Sequence, residues 1–143
     1  MPLKKHSRNS DGLYGPSPRG DFYASKEDHR RTAKSKNQKT KWDIEEGKEY
    51  SVFLEANIPE PIWLCLENNA LFSLVENCET ILGQNGERIA KFPNIKNENE
   101  PWHGYPVLTE EKQNRPSSEL LDKISDLGLL SLSVRLKIEK GLL

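Results

Sequence analysis

The sequence predicts a small α+β domain, a few strands packed on one or two helices, preceded by a flexible basic N-terminal arm. Three observations predict it: apolar residues concentrate after residue 41, the net charge changes sign at the same place, and the apolar spacing beyond it alternates between strand and helix rhythms. Only 8 of residues 1–41 are apolar, against 41 of the remaining 102, so burial can offset chain entropy only in the second part. The expected organisation is a disordered arm over 1–41 and one domain over 42–143.

The arm holds 11 Lys and Arg against 4 Asp and Glu, a net +7, whereas the domain holds 10 against 18, a net −8. The formal charge of −1 therefore hides a basic leader on an acidic body. Such a leader attracts the phosphates of RNA or DNA, docks on a protein partner, or lies over its own acidic domain. Arg30, Arg31, Lys34 and Lys36 are the candidate contacts. Gly12, Gly15, Pro16, Pro18 and Gly20 interrupt regular structure, and Tyr14, Phe22 and Tyr23 interleave aromatic rings with the cations. Residues 25–39 contain good helix formers but no apolar stripe, so a helix there waits for a partner.

Within the domain, Tyr50, Val52 and Leu54 alternate with Ser51, Phe53 and Glu55, which predicts a strand over 49–56. Pro59 and Pro61 impose an extended connection, and the apolar run 62–66 predicts a buried strand. Leu71, Leu74, Val75, Cys78, Ile81 and Leu82 then recur at steps of three and four, favouring a helix over 69–82 with Asn69 as its cap and Gly83 as its terminator. The competing reading is a hairpin about Asn85-Gly86, with strands over 80–82 and 88–92.

Near the C-terminus, Ser117 caps a helix carrying Leu120, Leu121, Ile124 and Leu127 on one face, and Gly128 ends it. Leu130, Leu132, Val134, Leu136 and Ile138 alternate strictly with polar residues, which favours a strand over 130–138. The rival is a second helix there, completing a helix-turn-helix that offers Arg135, Lys137 and Lys140 to DNA.

One stretch of the domain looks composed for contact. Trp102, His103 and Tyr105 lie between Pro101 and Pro106, so their aromatic surface is expected to be pre-ordered for a partner. His103 is the sole histidine of residues 42–143 and the natural proton carrier. Were the chain an enzyme, His103 with Arg88 and Lys91 supplies the base and cations that RNA cleavage needs. The leading expectation is a non-catalytic cytoplasmic binding protein that engages a macromolecule through the basic arm and the aromatic loop. Nucleic-acid binding by mainly electrostatic contacts is the alternative, and a small ribonuclease the second alternative.

No apolar run is long enough to span a bilayer and residues 1–10 lack a signal-peptide centre, so no membrane association is expected. Cys65 and Cys78, thirteen apart in apolar surroundings, read as a buried reduced pair. No metal, no cofactor and no particular oligomeric state is implied.

Overall fold

The computed structural model describes residues 3–30, 40–97 and 99–143. They form an α+β fold in which three α-helices accompany one four-stranded antiparallel sheet. In chain order the elements are α1 (Glu46–Ala56), β1 (Leu64–Cys65), β2 (Ala70–Ser73), β3 (Ile89–Pro93), β4 (Tyr105–Val107), α2 (Ser118–Asp126) and α3 (Leu132–Glu139). The strands pair as a meander in sequence order. Register sets Leu64, Leu71 and Phe92 across from one another on one face. Phe53 of α1 meets Phe92 edge-on at 5.3 Å, and α2 packs against β1 and α3.

The segment 49–56 is a helix, not the expected strand. Tyr50, Val52, Phe53 and Ala56 are its buried apolar residues, a stripe that β alternation cannot bury on one side because Phe53 falls out of step. Glu46 and Glu49 suit the first turn of a helix, and the helix stops at Asn57 before Pro59.

The helix expected over 69–82 is absent. Residues 70–73 join the sheet instead, fully buried, and Val75–Cys78 makes a short turn in which Glu76, Asn77 and Cys78 all have positive φ, at 49°, 58° and 63°. Three consecutive left-handed residues end any α-helix at once. The turn is held from outside: Asn77 donates from Nδ2 to Ser131 Oγ at 3.1 Å and accepts from the Ser131 amide at 3.0 Å, while Arg88 Nη1 donates to the Cys78 and Glu79 carbonyls at 3.2 and 2.8 Å. The Asn85-Gly86 turn does form, with Gly86 at φ 86°, but the strand that follows pairs with β2 and not with 80–82.

Helix α2 forms where the sequence expects it, with Ser117 Oγ accepting from the Leu120 amide and Leu120, Leu121 and Ile124 buried, but Leu127, expected on the same face, is the C-cap and is 54% exposed. The strand expected over 130–138 is a helix. Ser131 caps α3 by accepting from the Val134 amide at 3.3 Å, Gly128 turns the chain at φ 74°, and Ile138 is buried. The helix–turn–helix reading of this region thus describes its secondary structure.

The detached arm needs the largest correction. Tyr14 and Tyr23 pair as a β-bridge with reciprocal bonds of 2.9 and 2.8 Å, and Tyr23 is fully buried against Phe53 and Phe92. Residues 3–30 are thus part of the domain, because two aromatic rings buried in its core outweigh the polar composition around them. Residues 31–39, with Arg31, Lys34 and Lys36, lie outside the described residues, as does most of the stretch considered for a partner-induced helix. Of that stretch, Glu27–His29 form a 3-10 turn. Among the described residues no helix is long and apolar enough to cross a membrane.

Candidate functional site

Two polar assemblies stand out, and both are made by the N-terminal segment. The first lies on α1. Glu45, Glu46 and Glu49 each take one basic residue from the segment: Lys5 meets Glu45 at 3.1 Å, Arg8 grips Glu46 with Nε at 3.0 Å and with Nη2, and Arg30 Nη1 meets Glu49. Tyr14 O–H donates to Glu46 at 2.9 Å, and Tyr23 O–H and Ser25 O–H donate to Glu49 at 2.7 Å each. Gly47 permits this contact, since a Cβ there would lie 2.3 Å from the His6 carbonyl oxygen. The His6 amide bonds the Gly47 carbonyl at 3.1 Å.

The two buried-side carboxylates are tuned in opposite directions. Burial pushes Glu49 above the usual carboxylate range despite its donors, whereas the Arg8 guanidinium holds Glu46 below it. A cavity of about 440 Å³ opens beside them, lined by Arg8, Ser25, Glu27, Arg30 and Glu46. Arg30, expected as a free contact for a polyanion, is committed here: its other terminal nitrogen donates to the Ile44 carbonyl at 2.9 Å. The interleaving of Tyr and Arg over 8–30 was the only signal of this assembly. It pointed outward because the acidic partners lie on a helix the alternation had disguised.

The second assembly is the aromatic loop. Trp102 is 5% exposed and tilted against Phe53 at 5.8 Å, so it is a core residue and not a displayed one. Its backbone explains why: the Trp102 amide donates to the Phe22 carbonyl and its carbonyl accepts from the Ala24 amide, both at 2.7 Å. Among the described residues its indole N–H, though buried, has no hydrogen-bond partner.

His103 and Tyr105 are half-buried, and Tyr105 stacks on His29 with centroids 4.8 Å apart and planes at 15°. His29 Nδ1 bonds the Thr40 carbonyl at 2.7 Å, and its own carbonyl accepts from the Trp42 amide at 2.8 Å. The Thr40 carbonyl only accepts, so Nδ1 carries the proton. Residues 24–29 thus run beside 102–105, with Lys26 and His103 between the two points of attachment. Burial lowers the pKa of His103, and the charges of Lys26 and His29 lower it further, against Glu100. Lys41 donates to the Asp28 carbonyl on the same side.

Of His103, Arg88 and Lys91, both cations are engaged by backbone carbonyls. Arg88 spends its guanidinium on the left-handed turn, and Lys91, almost buried in β3, donates to the Gln113 carbonyl at 2.6 Å. Burial depresses the Lys91 pKa. Cys65 and Cys78 are buried and unpaired, and burial pushes the Cys78 thiol up to about 12. No protein-family model matches this chain, and no curated protein or solved structure matches it either.

Proposed function

We propose that this chain is a non-catalytic binding protein that engages a macromolecular partner through the surface of His29, His103 and Tyr105 and the basic residues around it. The observation that carries the reading is the His29–Tyr105 stack, which joins the aromatic loop to the start of the basic stretch. Arg31, Lys34, Lys36 and Lys39 follow His29 in sequence, and Lys41 and Lys26 flank the stack. Half-buried rings beside a run of cations suit a single-stranded nucleic acid, whose bases stack and whose phosphates pair. Among the described residues, the charges of Lys5, Arg8 and Arg30 are set against α1, whereas Lys26 is exposed beside the stack. Two buried free thiols suit a reducing compartment, which supports a cytoplasmic location.

Fluorescence anisotropy with a labelled single-stranded oligonucleotide of about 16 nucleotides tests this. Binding should weaken steeply as salt rises, and Tyr105→Ala should cost about tenfold in affinity while the fold is kept. Absence of binding even at low ionic strength would remove nucleic acid as the partner. RNA cleavage lost in His103→Ala would overturn the non-catalytic reading.

A further inference from the structure

The strict alternation of apolar residues from Leu130 to Ile138 has a different meaning once the segment is a helix. At about 100° per residue, every second position falls on nearly opposite sides of the cylinder. Val134 and Ile138 share one side, and Ile138 is fully buried. Leu132 and Leu136, one turn apart, share the other and are 71% and 44% exposed. Leu127 and Leu129, in the connection that leads into α3, are 54% and 43% exposed. A helix that is apolar on two sides is normally covered on both, and one side of α3 is not.

We propose that this outward face of α3 is a self-association surface, on which a second copy of the chain packs its own α3 antiparallel about a two-fold axis. The charges around the leucines select that occupant and that direction. Asp126 ends α2 six positions before Leu132 and Lys140 caps α3 four positions after Leu136, and among the described residues neither has an ion-pair partner. Antiparallel packing that sets Leu132 of one copy on Leu136 of the other brings Lys140 toward Asp126 of the other copy, twice by symmetry. It also brings Glu139 to the first turn of the other α3, where the helix dipole favours a carboxylate. A parallel arrangement would set Lys140 against Lys140. Arg135 does not compete, since it is held by Asp122 and lies 3.6 Å from Glu139 on its own helix.

Sedimentation equilibrium of the full chain over a concentration series tests the proposal. The wild type should sediment as a monomer–dimer equilibrium, and Leu132→Glu or Leu136→Glu should return it to monomer with an unchanged circular dichroism spectrum. Lys140→Glu should weaken dimerisation at least fivefold, and adding Asp126→Lys should restore it. A wild type that stays monomeric overturns the proposal, as does a dimer indifferent to Leu132→Glu and Leu136→Glu. A dimer broken by the leucine substitutions but not rescued by the charge exchange overturns the antiparallel arrangement.

Discussion

Glu49 is the residue on which the packing of the N-terminal segment turns. Its carboxylate is fully buried, with one tyrosine, one serine and one arginine donating to it. Glu49→Ala leaves Arg30, itself only 16% exposed, without its counter-charge, and should cost about 3 kcal/mol in urea denaturation. Glu46 acts through pH. Its folded pKa lies below the unfolded one, so its contribution is present above the ordinary carboxylate pKa and is lost as pH falls through the lowered value. Glu46→Gln should therefore flatten the loss of thermal stability between pH 5 and pH 3, a range set by the ordinary carboxylate pKa of about 4.3. Arg88→Ala should destabilise the fold by about 2 kcal/mol, because two carbonyls of the left-handed turn lose a charged donor. The His103 titration followed by NMR should not move in that variant; a shift would return Arg88 to the neighbourhood of His103.

At the scale of elements, the least expected one is the turn of Glu76, Asn77 and Cys78. Its residues stand at φ 49°, 58° and 63°, left-handed positions that disfavour residues carrying a side chain. This turn explains why 69–82 misled. Its apolar residues do recur at helical spacing, but Ala70–Ser73 are claimed by β3, and Asn77 is claimed by Ser131, 54 positions away. Long-range partners of that kind leave no local trace. Helix α2 was legible because cap, first-turn acid and apolar face all sit within one short window. The alternation before and after it was legible as a pattern but not as a structure, since a helix apolar on two sides and a half-buried strand both produce it.

For the whole molecule, the boundary read at residue 41 marks a change in composition and not a change in folding. Tyr14 and Tyr23 sit in one aromatic cluster with Tyr50, Phe53 and Phe92, so a chain beginning at residue 40 should lose its cooperative unfolding transition. A sharp transition retained in that truncation would contradict the packing of the segment. Of the aromatic loop, the sequence showed the restricted backbone but not the burial of Trp102, which depends on Phe22–Ala24 some 80 positions earlier. Strand β4 is the free margin of the sheet, and its middle residue is Pro106. A proline offers no amide hydrogen, and a three-residue strand offers few others, so a neighbouring molecule finds no continuous row of donors on which to lay a fifth strand. The sheet is thereby closed to fibre-like growth from that side.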